Sequence, residues 1–227
     1  MAAEFTLVPQ GDRAVNALFP NEISEDVNRQ VLALCAAVDA ARVPGFVNCV
    51  PSYRTLLVEY DPLLLTYGQA AGILRSLPFF PEEKTAGRVV RLPVCYGGGF
   101  GPDLEEVAAY GDLTPEEVVS RHAAGEYRVY LLGFRPGFPY LGGLDPRLAT
   151  PRRATPRLRI EGGSVGIAGE QTGVYPEPSP GGWNIIGRTP LKLYSGESLL
   201  RPGDTLRFVP VSAAAYEEIL AGGEWQV

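Results

Sequence analysis

Between residues 131 and 190 the chain carries 12 of its 27 glycines and nine of its 21 prolines, so no long regular element can run through this stretch. Glycine opens positive φ and close backbone approach, whereas proline fixes φ and removes a donor, and together they specify particular turns. Arg135, Phe138, Tyr140, Gln171, Tyr175, Trp183 and Arg188 are interleaved among them. Ordered loops that carry aromatic and cationic side chains commonly form binding surfaces on a rigid scaffold. A run of tight turns joining the short strands of a barrel gives the same composition, and the local sequence leaves both readings open.

A chain of 227 residues with 45% hydrophobic content has material for one or two cores. The net charge is −6, and the 20 basic residues are nearly all Arg, with Lys84 and Lys192 the exceptions. That balance argues against a nucleic-acid binder; the local group Arg152, Arg153, Arg157 and Arg159 reads as a solvated loop or one side of a strand. Cys35, Cys49 and Cys95 form no CxxC pair and no signal peptide precedes them, which predicts reduced thiols and a cytoplasmic protein. With His122 as the one histidine, no metal site is predicted, and no apolar run approaches the roughly 20 residues that span a bilayer.

Local signals place the elements. Residues 4–19 read as two extended segments around Gln10-Gly11-Asp12, and Ser24 caps a helix whose apolar face is Val27, Val31, Leu34, Cys35 and Val38. Phe46–Val50 and Tyr53–Tyr60 form an extended pair, Thr66 and Gln69 a capping box opening a helix to Leu77, residues 78–87 a break, and Arg88–Val94 a strand. Strand, helix, two strands, helix, strand is the order of a ferredoxin-like unit. Further on, Asp103 with Glu106 caps a short helix, and Thr114-Pro115-Glu116-Glu117 starts another that runs to Ala124. Tyr127–Leu132 begins a series of short strands ending with Thr205–Val211, and Ala213–Leu220 is a terminal helix. Many closely spaced strands favour a small barrel or sandwich.

Tests for known chemistry are mostly negative. Neither lysine lies in a Walker A loop, and Gly97–Gly101 lacks the full dinucleotide spacing. Gly162-Gly163-Ser164-Val165-Gly166 matches the nucleophile elbow, but its context, a preceding strand, a following helix and a later histidine, is missing. His122 has an unperturbed pKa near neutrality, which suits proton transfer; near a helix end its cation can equally complement the dipole. Arg135 and Arg188 are each framed by turn residues and can clamp a carboxylate or phosphate. Trp183 and the Phe138-Pro139-Tyr140 run can wall a pocket or a partner groove, or anchor loops.

Three long stretches carry a family resemblance: GFRPGFPYLGGLDPRLATPRRATPR, GSVGIAGEQTGVYPEPSPGGWNIIGRTPL and LLRPGDTLRFVP. They closely resemble the KipI family, also called allophanate hydrolase subunit one and now largely the PxpB subunits of 5-oxoprolinase. The resemblance implies an α+β chain, with a ferredoxin-like domain over residues 1–86 followed by a cyclophilin-like β-barrel domain over 87–227. It also implies a stable partner of the KipA or PxpC type and a transient PxpA-type subunit. The expected activity is ATP-dependent opening of 5-oxoproline to L-glutamate, with Mg²⁺ accompanying ATP and the single subunit inactive alone. In that setting Arg135, Arg188 and His122 are the expected catalytic groups. Phe138, Tyr140, Gly166, Gly169, Gln171, Thr172 and Trp183 are expected to line the substrate site. The family's name suggests a second role, inhibition of a sensor histidine kinase through exposed Phe138 and Trp183 loops. A third is a carboxyltransferase-like module of a urea carboxylase system, which would need a biotinylated companion because the only methionine is Met1. Allophanate hydrolysis itself calls for a Ser-Ser-Lys arrangement that neither lysine offers.

Overall fold

A computed structural model of the chain describes residues 5–22, 24–81 and 88–225; Lys84 and the rest of the break at 82–87 lie outside the described residues. The chain divides into two compact units, Met1–Thr85 and Ala86–Val227.

In the first unit β1 (Thr6–Pro9) and β2 (Ala14–Leu18) form a hairpin whose turn needs Gly11, at φ 65°. The helix α1 (Glu25–Ala41) is capped by the Ser24 side chain, which accepts from the Val27 amide. Its buried positions Val27, Val31, Leu34 and Val38 recur at helical spacing and share one core with Leu56 and Val58. Those last two belong to β4 (Thr55–Tyr60), which pairs with β3 (Phe46–Pro51) and with β2. The helix α2 (Tyr67–Ser76) opens on the Thr66–Gln69 capping box. All pairings are antiparallel and the sheet order is β1-β2-β4-β3.

The sixth element expected for this unit is elsewhere. In a ferredoxin-like order Arg88–Val94 would complete the sheet beside β2, but that place is held by β1, in register from Thr6↔Leu18 to Pro9↔Val15. A hairpin closes a short loop at small entropic cost, and this one pre-empts the later strand. The later strand, β5 (Val89–Tyr96), buries Val90, Leu92 and Val94 in the core of the second unit.

That second core fills a closed barrel. Its strands are β6 (Tyr127–Leu132), β7 (Pro139–Gly142), β9 (Ser164–Ala168), β10 (Gln171–Val174), β12 (Asn184–Arg188) and β13 (Thr205–Pro210), with β5. The order around the barrel is β10-β7-β6-β13-β5-β12-β9, and closure leaves no edge. β5 and β13 are parallel, the remaining barrel pairs antiparallel. A separate ribbon pairs β8 (Arg157–Ile160) with β11 (Ser179–Gly181). The helices are α3 (Leu104–Tyr110), α4 (Pro115–Ala124) and α5 (Ala213–Leu220); α4 packs on β13 and α5 on β5. No described helix is long and apolar enough to cross a membrane.

Asp103 does not cap α3 as the sequence suggested: its side chain makes no cap hydrogen bond. Its carboxylate is 3% exposed and accepts from the Ile185 amide at 2.7 Å, from both terminal nitrogens of Arg157 at 2.7 Å and from Arg153 at 2.8 Å. The long-range partners win because a buried carboxylate gains more from two guanidinium groups than from a helix amide. Glu106 also pairs with Arg153, and Glu161 with Arg159, so three of the four arginines of that cluster are balanced by acids. Removing the carboxylate would strand two cations and a buried amide. The Asp103→Ala variant is expected to lose about 3 kcal/mol or more in chemical unfolding. Glu161→Ala, which breaks an exposed pair, should stay within about 0.5 kcal/mol of wild type.

Candidate functional site

Strand β7, the 180–183 turn and the 151–153 loop enclose a cavity of about 170 Å³ whose lining includes Phe134, Phe138, Tyr140, Arg152, Tyr175 and Trp183. Phe138 is the hub. Its ring meets Tyr175 at 5.3 Å and 83°, Trp183 at 5.5 Å and 86°, and Tyr140 at 5.1 Å and 59°. Edge-to-face contacts of this kind favour one fixed arrangement. Gly173 makes the packing possible, since a Cβ there would lie 3.0 Å from the Trp183 ring and 3.2 Å from that of Phe138. Phe138 and Trp183 are only 2% and 6% exposed, so the expected protruding aromatic loops are in fact an inward-facing wall. Phe134 is the aromatic that projects, at 60% exposure.

The cation of this cavity is Arg152, and its neighbours hold it there. Pro151 accepts through its carbonyl from Asn184 Nδ2 at 2.8 Å, and the Arg153 amide donates to the Gly182 carbonyl at 2.8 Å. The Arg153 guanidinium is tied to Asp103. Burial pushes the Tyr175 phenol up to about 12, with the Arg152 charge pulling the other way, so the hydroxyl stays protonated at neutral pH.

His122 lies elsewhere. It is 0% exposed and projects from α4 among barrel side chains, stacked on Phe208 at 4.4 Å. Nε2 is 3.0 Å from Thr172 Oγ1, and that hydroxyl donates its one proton to the Gly166 carbonyl at 3.0 Å. Nε2 therefore carries the hydrogen, and Nδ1 accepts from the Tyr96 hydroxyl at 2.8 Å. Burial lowers the pKa from 6.5 to about 3, so the ring is neutral at physiological pH and no cation complements the helix end. Of the other expected residues, Gly166 and Thr172 are buried in this same barrel network, and Gly169, at φ 58°, turns the β9–β10 hairpin into which Gln171 leads.

Neither Arg135 nor Arg188 is among the residues lining the cavity. Arg135 stands beside it: its guanidinium is 6.0 Å from the Phe134 ring centroid and pairs with Glu177 at 3.1 Å, both side chains near half exposed. Arg188, at the end of β12, hydrogen-bonds Tyr216 and lends its charge to Glu161. Ser164 is 1% exposed on β9, with β10 rather than a helix after it, so the elbow motif has no reactive hydroxyl to present.

A family model described as "Carboxyltransferase domain, subdomain C and D" matches residues 5–200. The chain is 46% identical to the PxpB subunit of 5-oxoprolinase from Bacillus subtilis, over 95% of this chain and 97% of that protein. It is 56% identical to the corresponding 5-oxoprolinase subunit of Escherichia coli O157:H7, over 74% and 79%. The chain belongs to the PxpB family of 5-oxoprolinase subunits. The solved urea carboxylase of Kluyveromyces lactis shares its fold, at 20% identity and TM-score 0.81, over 96% of this chain and 23% of that one.

In this member of the PxpB family, the cavity unites three residues that sequence singled out, Phe138, Tyr140 and Trp183, with three it did not place there, Phe134, Arg152 and Tyr175. The signal for Arg152 was hidden in a run of arginines, and only its neighbours' ion pairs set it apart. The buried His122 gives a pH prediction. Between pH 6.5 and about 3 the unfolded chain binds a proton that the folded chain refuses, so stability present above pH 6.5 drains away as the pH falls. Wild type should be about 2–3 kcal/mol less stable at roughly two pH units below 6.5 on account of this residue. In urea titrations across that range His122→Gln should show a correspondingly smaller slope; parallel curves would mean the imidazole titrates freely.

Proposed function

We propose that this chain is the PxpB-type component of an ATP-dependent 5-oxoprolinase, and that it holds 5-oxoproline in the aromatic cavity while the lactam is activated by phosphorylation for opening to L-glutamate. The observation that carries the reading is the cavity: about 170 Å³, walled by Phe138, Tyr140 and Trp183, with Arg152 among its lining. 5-Oxoproline is a small flat ring bearing one carboxylate. Aromatic walls suit the ring, and a guanidinium takes the carboxylate bidentately.

A lactam is a poor electrophile, and transfer of a phosphoryl group to its oxygen gives an activated imidate; such a step mainly asks for positioning and charge stabilisation. Arg152 takes the carboxylate role that the sequence divided between Arg135 and Arg188. Arg135, at the rim, needs only exchange an exposed carboxylate for the transferring phosphoryl, which costs little. His122 and Thr172 fix the β9–β10 hairpin and so act as positioning residues.

The described residues do not suit ATP by themselves. The cavity is small for a nucleoside triphosphate, and the glycine run Gly97–Gly101 leads to α3 where Asp103 already sets a carboxylate. ATP, as co-substrate with its Mg²⁺, is therefore assigned to a site shared with a KipA/PxpC-type partner, with a PxpA-type subunit completing ring opening and the assembly cytoplasmic. Within this reading the barrel is cyclophilin-like. The first unit is a ferredoxin-like sheet whose outer strand comes from the start of the chain. The kinase-inhibitor reading loses its main support with Phe138 and Trp183 buried.

Native purification of the tagged chain should recover a KipA-like subunit in near-equal amount, and the complex should consume ATP in response to 5-oxoproline. In that complex Arg152→Ala is expected to raise KM for 5-oxoproline by roughly thirtyfold, the loss of a charge-assisted hydrogen bond of about 2 kcal/mol, with a smaller change in kcat. An unchanged KM would remove the carboxylate from Arg152.

A further inference from the structure

Two of the three cysteines, 14 positions apart in sequence, meet in the first unit. Cys35 lies on the buried side of α1 and Cys49 on β3, and the Cys49 thiol donates to the Cys35 sulfur at 2.7 Å. Both are free and partly exposed, whereas Cys95 is buried. The sulfurs already sit inside ordinary non-bonded contact, so a bond between them needs no rearrangement of the helix on the sheet.

A second observation gives reagents access. A cavity of about 310 Å³ runs along the same seam between the end of α1 and the start of β3, lined by Val38, Asp39, Arg42, Phe46 and Asn48. Val38 and Asp39 are one turn beyond Cys35, and Asn48 precedes Cys49 in the strand. β3 is an outer strand of its sheet, covered on one side only by β4.

We propose that Cys35 and Cys49 are a redox modification site, a dithiol that a peroxide converts reversibly into an intrachain disulfide tying α1 to β3. The roles are unequal. The hydrogen bond from Cys49 holds the Cys35 thiol below its ordinary pKa, against the opposing effect of burial and of Asp39, and the same bond raises that of Cys49. Cys35 is the attacking thiolate. Its sulfur displaces hydroxide from hydrogen peroxide as the O–O bond breaks, giving a sulfenic acid, and the hydroxide takes up the thiol proton as water. Cys49 then attacks the sulfenic sulfur, the S–O bond breaks, and a second water leaves with the Cys49 proton. One peroxide is reduced and two thiols are oxidised. Burial raises the Cys95 thiol and leaves it a spectator.

The full-length chain treated with hydrogen peroxide at neutral pH, then alkylated under denaturing conditions and digested, reads the outcome by mass spectrometry. The expected product is a Cys35 peptide joined to a Cys49 peptide, two hydrogens lighter than the pair and restored by dithiothreitol, with Cys95 alkylated throughout. In Cys49→Ser, Cys35 should stop at a sulfenic acid that dimedone traps; in Cys35→Ser, Cys49 should stay a thiol. Thiols that both remain alkylatable at a peroxide dose that oxidises free glutathione would overturn the proposal. So would a Cys35 product that is the same with and without Cys49.

Discussion

The carboxylate of Asp103 is the contact on which the geometry of the cavity depends. It stands at the start of α3, yet its partners come from the arginine-rich loop and from β12. Through Arg153 and Arg157 it fixes the loop that presents Arg152, and through the Ile185 amide it fixes the strand that follows Trp183. A buried charge of this kind contributes little net stability compared with an apolar replacement, but it is costly to leave half made. It therefore selects one arrangement of loop and strand over its competitors.

A second set of buried polar contacts does the same inside the barrel. The chain Tyr96–His122–Thr172–Gly166 joins a helix to three strands, and each hydroxyl proton has one place to go. In a low-dielectric interior a fully satisfied network is rigid, and the neutral imidazole is part of its satisfaction. The histidine that sequence offered as a proton carrier is thus better understood as the pin that sets the β9–β10 hairpin.

Elements whose signals are local were legible in the sequence. Ser24, Thr66 and Thr114 cap their helices through contacts within three residues, so spacing alone locates them. Gly11 and the strand patterns of Thr6–Pro9 and Ala14–Leu18 predict their hairpin equally well. Residues whose partners are distant were misread. Asp103 looks like a cap until Arg153 and Arg157 arrive, and Arg88–Val94 looks like the last strand of the first sheet until β1 takes its place. Arg152 has the same chemistry as its neighbours in the sequence; only ion pairing removes Arg153, Arg157 and Arg159 from consideration.

The sequence by itself determined the helices, most of the strands, the glycine and proline turns and, through three long motifs, the family, because each of these rests on chemistry within a few residues or on fixed strings. Tertiary structure alone decided which strand joins which sheet, which arginine faces the cavity, that His122 is neutral and that Cys35 touches Cys49. Those outcomes turn on burial and on contacts between residues far apart in the chain, where desolvation and long-range pairing outweigh local preference.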